Sequence, residues 1–392
     1  MRKRIETYLN FPRLRAKYRL ASREERTKIL DEVNDLTGIH RKSLIRKLNQ
    51  DNHRKRKRRG LKPKYNYEKV LPVLKRIWLA GDQMCSKKLH VAIAEWLPAY
   101  EEEEGILSDF LRMQIQSISP ATIDRLLKPV KAKTKRRGLG GTKPGSLLKN
   151  QIPIKVNQWD EHRPGFLEAD TVAHCGNSLE GSFAWSITFT DIHTTWTENR
   201  ATWNKGAEGV VHQVREVEAI LPFKIRGFDC DNGSEFLNYH LIRYFSDRPK
   251  EQAVQFTRSR PYHKNDNAHV EQKNWTHVRQ LLGYDRFDNA RVVPLMNDLY
   301  KNEWSLYQNH FIPTMKCIKK EKINSKYRKK FDEPQTPYAR VLACEGIAES
   351  VKDQLRLEHK KLNPFQLKKQ MEIKLKQIFQ YVHVTDQGRK RI

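Results

Sequence analysis

Three acidic residues carry the chemistry available to this sequence. Asp170 stands in the apolar run Gly165-Phe-Leu-Glu-Ala-Asp-Thr-Val172, Asp231 in Asp229-Cys-Asp-Asn-Gly-Ser-Glu-Phe236, and Glu271 in Asn265-Asp-Asn-Ala-His-Val-Glu-Gln-Lys273. Moving a phosphoryl group calls for two hard cations roughly 3.5–4 Å apart, one on the attacking and one on the leaving oxygen, and such cations prefer carboxylate oxygens. Three convergent carboxylates are a minimal cradle for a pair of Mg²⁺ or Mn²⁺ ions. Neighbouring acids compete for the role. Asp229 and Glu168 lie two residues from Asp231 and Asp170 on the same strand faces, but Asp231 is favoured because Asn-Gly follows it. His174-Cys175 is read as an incidental neighbouring pair and not as a metal site.

Carboxylates that share cations must sit on rigid elements. The runs 166–172, 183–189 and 194–202 are β-rich, 206–220 has helical periodicity, and 223–228 is a further strand. A helix at about 236–246, a strand at about 253–258 and a helix at about 268–283 follow. Three strands, then helix and strand in alternation, predict an α/β core with helices flanking a mixed sheet. Asp170 falls within the first strand, Asp231 just past the fourth, and Glu271 in the first turn of the last helix. If the first and fourth strands are neighbours, their acids meet on one face. Glu271, Trp275, Val278 and Leu282 form a helical stripe expected to face the sheet. The other tryptophans crowding this segment are read mostly as core.

The chain has 392 residues and a formal charge of +29, too long for one ordinary core and matched to an anionic polymer. The charge is uneven: residues 1–65 carry 22 Lys+Arg against 7 Asp+Glu, 291–392 carry 22 against 11, and the acid-bearing segment 156–290 carries 15 against 19. Basic flanks around an acidic centre suit nucleic acid outside and cations inside. Five scattered cysteines, with no Cys-x-x-Cys pair, predict reduced, buried thiols. The N-terminus has no apolar signal region, and nowhere do eighteen apolar residues run together, so a cytoplasmic, nucleoid-associated protein with no membrane contact is expected.

Residues 1–53 predict a helix-turn-helix. Ser22 and Glu25 form a capping box opening a helix to about 36, Gly38 breaks it, and 41–48 is a short helix whose Arg41, Lys42, Arg46 and Lys47 would face DNA. Residues 54–66 form a basic linker. A second helical unit at 67–130, closing on a helix capped by Ser119 and Pro120, is read as another helix-turn-helix, with Glu101–Glu104 as a solvated acidic loop. A basic Gly-rich linker spans 131–155, the catalytic core 156–290, and a basic C-terminal region 291–392, with a Lys-rich helix at 364–382.

The order, strand context and spacing of the three acids resemble the DDE transposases and integrases, the integrase-core members of the RNase H-like superfamily. Pro164-Gly-Phe-Leu-Glu-Ala-Asp170 is similar to that family's first-strand motif, Asp231-Asn-Gly-Ser-Glu-Phe236 to its second, and Pro261-Tyr through Ala268-His-Val-Glu271 to its third. The 39 residues between Asp231 and Glu271 suit the family's spacing. The resemblance implies an RNase H-like core with Asp170, Asp231 and Glu271 both catalytic and metal-binding, using two Mg²⁺ or Mn²⁺ ions. It further implies a bacterial insertion-sequence transposase that binds terminal repeats and target DNA as a homo-oligomer. Many integrases carry a DNA-touching basic residue four or seven positions after the glutamate. Here those positions hold Trp275 and Val278, and Lys273, His277 and Arg279 are nearby substitutes. The retroviral His/Cys zinc module is absent from the sequence. Two rivals keep the same segments: an RNase H-like nuclease that cuts without joining, and a DNA-binding regulator with a vestigial catalytic domain.

Overall fold

A computed structural model describes residues 11–49, 65–133, 162–204, 206–230, 236, 239–258, 268–323 and 326–382. The expected linkers at 54–66 and 131–155 fall almost wholly outside these residues, as do Asp231 and its Asn-Gly neighbours. The chain divides into two compact units, Met1–Lys64 and Tyr65–Ile392.

In the first unit, helices α1 (Phe11–Leu20), α2 (Arg23–Thr37) and α3 (Arg41–Asn49) close around Tyr18, Ile29, Leu30, Val33, Leu44 and Leu48. The Ser22–Glu25 capping box is formed in both directions and satisfies two of the donors a helix start leaves open. Gly38 ends α2 in the left-handed region at φ 63°, where a side chain would be strained, and its N–H returns to Asn34 O.

The second unit is built on a five-stranded mixed sheet of order β3-β2-β1-β4-β5. Its strands are β1 (Phe166–Ala173), β2 (Ala184–Asp191), β3 (Thr197–Trp203), β4 (Gly227–Cys230) and β5 (Gln255–Arg258). β1, β2 and β3 run antiparallel, while β4 and β5 lie parallel beyond β1, so the first and fourth strands are neighbours. α8 (Ala207–Ile220) supplies the crossover between β3 and β4, and α9 (Tyr239–Ser246) packs against it. One sheet face buries Leu167, Ala169, Ile187, Phe189 and Phe228 under Val210, Val214, Val217, Leu241 and Phe245. Gly165 opens β1 at φ 109°, and a Cβ there would lie 2.3 Å from Lys224 O, so the approach of β1 to β4 needs glycine.

Helices α4 (Tyr67–Ala80), α5 (Ser86–Glu104), α6 (Asp109–Gln116) and α7 (Pro120–Lys133) share one apolar core with the C-terminal half of the chain. Ser119, as expected, caps α7 through the Thr122 N–H. α10 begins as Ala268–Lys273 and runs through a π-helical stretch, Asn274–Arg279, to Gln280–Leu282. α11 likewise runs from Val292–Leu299 through a π stretch, Tyr300–Trp304, to Ser305–Phe311. A ribbon of β6 (Cys317–Ile323) and β7 (Lys326–Phe331) and helices α12 (Pro337–Ala343), α13 (Glu349–His359) and α14 (Pro364–Phe379) complete the described chain. Trp96 ties the halves together: its Nε1 donates to Phe311 O at 3.0 Å, and its ring meets Tyr307 and Phe365 edge-on.

Three expectations need correcting. Glu101–Glu104 form the last turn of α5 and not a loop: Glu101 accepts from Arg112 at 2.8 Å, and Glu104 from Arg76 at 2.9 Å. These ion pairs give the acidic run a reason to stay helical. The five cysteines are free, but only Cys230 and Cys344 are buried, while Cys85 and Cys317 are exposed. The basic C-terminal region expected at 291–392 does not stand apart from what precedes it: Met296, Leu299, Tyr300, Trp304 and Tyr307 of α11 lie in the shared core. Among the described residues no helix is long and apolar enough to cross a membrane.

Trp96→Ala should cost the Tyr65–Ile392 unit about 3–5 kcal/mol, the range for emptying a buried aromatic site. A denaturant midpoint that hardly moves would contradict a shared core.

Candidate active site

β1 carries Asp170 at mid-strand, opposite Thr188 of β2. The side chain is half-buried, with Oδ1 accepting from Thr171 N–H at 2.7 Å and Oδ2 from Asn274 Nδ2 at 2.7 Å. Two residues earlier on the same strand face, Glu168 is buried at 3% exposure, and its Oε2 accepts from Val270 N–H at 3.0 Å. Val270 and Asn274 stand one turn apart on α10. The helix is therefore held to β1 at two points, each made by a carboxylate of the strand, and Glu271 lies in the first turn between them. Buried charge is tolerated only when hydrogen-bonded, so these contacts also explain how two acids can sit on an otherwise apolar strand.

Glu271 itself is exposed, and the expected stripe does not hold along its length. Val278 and Leu282 are fully buried, but Trp275 is 47% exposed, while Lys273 and His277 are buried in its stead. Glu271 and Trp275, four residues apart, share the exposed side, and the π stretch brings Val278 and Leu282 round to the buried one. The i→i+5 bonding of that stretch widens the turn after Lys273 and rotates the later residues relative to an ideal α-helix.

Lys273, expected among the DNA contacts, has its ammonium 3.4 Å from Thr195 O. Burial pushes its pKa down to about 7, with Lys88 and Arg340 adding repulsion. Arg279 is half-buried with its guanidinium over the Tyr284 ring at 4.7 Å, and burial lowers its pKa. In the first unit Lys42 and Arg46 are exposed, Arg41 pairs with Asp31, and Lys47 O accepts from Arg15 Nε at 3.0 Å.

Of the three expected cation ligands, Asp170 and Glu271 are described. Asp231 is not, although it directly follows Cys230, the last residue of β4. Cys230 is in register with Ala169, which directly precedes Asp170. Asp229 of β4 accepts from Thr257 Oγ1 of β5 at 2.7 Å. Among the described residues no three His, Cys, Asp or Glu side chains are grouped to hold a metal. One observation bears on the fit. Beside Asp170, Asn274 Oδ1 is buried with no hydrogen-bond partner among the described residues, an acceptor suited to the water shell of a hard cation. The oxygen-only donor set agrees with Mg²⁺ or Mn²⁺.

Asn274, which binds the Asp170 carboxylate, is not among the residues expected at the site. Its signal was its position three residues after Glu271, where i and i+3 share a helix surface. His174, by contrast, is structural. It is fully buried, its Nε2 pairs with Ser186 Oγ at 2.7 Å, and Ser186 Oγ pairs with Tyr300 OH at 2.7 Å.

No family model matches the chain. Over 329 residues it is 35% identical to the uncharacterized protein y4rM of Sinorhizobium fredii (strain NBRC 101917 / NGR234), covering 83% of this chain and 91% of that protein. The chain belongs to the y4rM family. A solved structure, the catalytic core domain of BIV integrase, is similar over 46% of this chain and 95% of that one, at 14% identity and a TM-score of 0.28, a score too low to carry weight. For this y4rM-family chain the site therefore rests on its own geometry.

Glu168→Ala should strand the buried Val270 N–H and cost about 1–3 kcal/mol, while Glu168→Gln, which keeps an acceptor oxygen, should recover most of it in denaturant unfolding. An equal loss in both variants would contradict the hydrogen-bonding role. Burial holds the pKa of His174 at about 3 against an ordinary 6.5, so the unfolded chain takes up this proton first as the solution is acidified. Stability from this group is present above pH 6.5 and declines below it, by about 2 kcal/mol at pH 5. His174→Gln should flatten the stability–pH curve over that window, and an unchanged slope would show that His174 does not titrate this way.

Proposed function

We propose that this protein is the DNA transposase of a mobile element, hydrolysing phosphodiesters at the element's ends and joining the freed 3′-hydroxyls to target DNA. The observation that carries the proposal is the double attachment of α10 to β1, which sets the helix bearing Glu271 against the strand bearing Asp170. The β1–β4 register supports it, since Asp170 and Asp231 each directly follow a residue of the Ala169–Cys230 pair. The mixed sheet and the three sequence motifs agree with an integrase-like, RNase H-like core at 156–290.

Asp170, Asp231 and Glu271 would hold two Mg²⁺ or Mn²⁺ ions, which when bound neutralise charge on the attacking and leaving oxygens. The chain's own residues do the positioning. Asn274 fixes the Asp170 carboxylate, and Glu168 fixes the start of α10. In the joining step the 3′-hydroxyl forms a new P–O bond as the old one breaks, so bond energy is conserved and neither ATP nor a covalent enzyme intermediate is needed. The α2–α3 pair, with its glycine turn and exposed Lys42 and Arg46, reads as a helix-turn-helix for the element ends, and α4–α7 as a second. Two ends must be cut together, so the working form is an oligomer on DNA in the bacterial nucleoid.

The test is cleavage and strand transfer on end-containing duplexes with Mg²⁺ or Mn²⁺. Wild type should give joined products that disappear on chelation and in Asp231→Asn, and Asn274→Ala should lower the rate about 10–100-fold, as for loss of an outer-shell partner. Cutting without joining would make the protein a nuclease. Binding without metal-dependent cutting, unchanged in Asp231→Asn, would make it a regulator.

A further inference from the structure

The β6–β7 ribbon has no place in the catalytic core. From Cys317 to Phe331 it carries seven Lys and Arg residues and one acid, Glu321. Every described side chain at 317–319, 321–323 and 328–331 is exposed, so neither face is covered. Lys319 stands opposite Lys330 in register, and Lys320 opposite Lys329. Like charges directly across a ladder destabilise it, and a two-stranded ribbon without a core is marginal in water. Glu321, which pairs with Lys319 at 2.5 Å, offsets little of this charge.

The base of the ribbon, in contrast, is braced. Thr314 pairs with Gln335 across it, Lys316 N–H donates to Asp332 Oδ1 at 2.6 Å, and Arg340 holds Asp332 at 2.8 Å. Thr314 Oγ1 meets Thr195 Oγ1 at 2.7 Å, and Lys316 Nζ reaches His193 O at 3.1 Å, both in the turn between β2 and β3. Lys273 of α10 binds that same turn through Thr195 O. The ribbon is thus an arm with a fixed root beside the element that carries Glu271.

We infer that this arm lies in a groove of duplex DNA. A strand pair is narrow enough for the major groove, about 12 Å wide, and phosphates on either side would neutralise the opposed lysines. The exposed apolar residues lie at the two ends of the described ribbon, Ile318 beside Phe331 at one and Ile323 at the other, and lysines occupy the length between them, where a protein partner would need an apolar centre. The inference rests on the DNA reading above and assigns its contact surface.

The experiment measures duplex binding by the full chain against salt, from about 50 to 200 mM, by fluorescence anisotropy. The ribbon variant is Lys319→Gln/Lys322→Gln/Lys329→Gln/Lys330→Gln, and the control removes equal charge at exposed Lys360, Lys361, Lys369 and Lys376. The ribbon variant should lose about 0.9 of the logarithmic salt slope per phosphate contact removed, with thermal unfolding unchanged, and the control should keep the wild-type slope. Wild-type binding in the ribbon variant, or an equal fall in both, would overturn the ribbon assignment while leaving the transposase reading intact. A selective fall in a protein that never cuts DNA would uphold the ribbon and overturn the transposase. Failure of wild type to bind any duplex would overturn both.

Discussion

The hydrogen bonds that fasten α10 to β1 are the constraint on which the site depends. A helix can approach a strand in many registers and rotations. Here a backbone donor, Val270 N–H, is matched to a buried carboxylate, Glu168, and a side-chain amide, Asn274, to a second carboxylate two residues on. Both acceptors are carboxyl oxygens, and each bond is costly to leave unmade in the interior. Sliding the helix by one residue would break both at once. Lys273, bonded to the β2–β3 turn, adds a third point on another side of the helix.

The rest of the second unit serves to keep that junction still. Leu282, the last residue of α10, and Phe287, just beyond it, belong to the core shared by α4, α5, α7, α11 and α14. Beneath β3 lies a polar layer. Glu198 pairs with Arg200 at 3.2 Å, both buried, and also accepts from Trp196 Nε1 and Ser305 Oγ. Asn309 brackets the Thr197 backbone through both its N–H and its carbonyl. These hydrogen bonds specify one arrangement of α11 against the sheet, where an apolar layer would permit several, although Arg200 Nε is left buried without a hydrogen-bond partner among the described residues.

Much of the central segment was legible because its β-branched and aromatic runs are short and separated by turn residues, and because α8 and α10 carry clear helical periodicity. Asp170 and Glu271 could be placed on their elements from that pattern alone. The π stretch could not, since nothing in Asn274–Arg279 distinguishes an i→i+5 turn from an α turn, and the burial of Val278 and Leu282 away from the side of Glu271 and Trp275 follows from it. Glu168 competes with Asp170 as a ligand on sequence grounds, and its binding to Val270 N–H is a long-range contact invisible to spacing. The shared core is invisible to spacing for the same reason: Trp96 and Phe311 are 215 residues apart. The ribbon was hidden because lysine-rich runs have poor β-propensity and read as solvated chain.

The central claim is that Asp170, Asp231 and Glu271 share one cation site. Replacing Mg²⁺ with Fe²⁺, generating hydroxyl radicals at the metal with ascorbate, and mapping the resulting breaks in the polypeptide tests it most directly. Breaks beside all three residues, suppressed by excess Mg²⁺, are the predicted result. Breaks elsewhere, or a pattern indifferent to Mg²⁺, would contradict it.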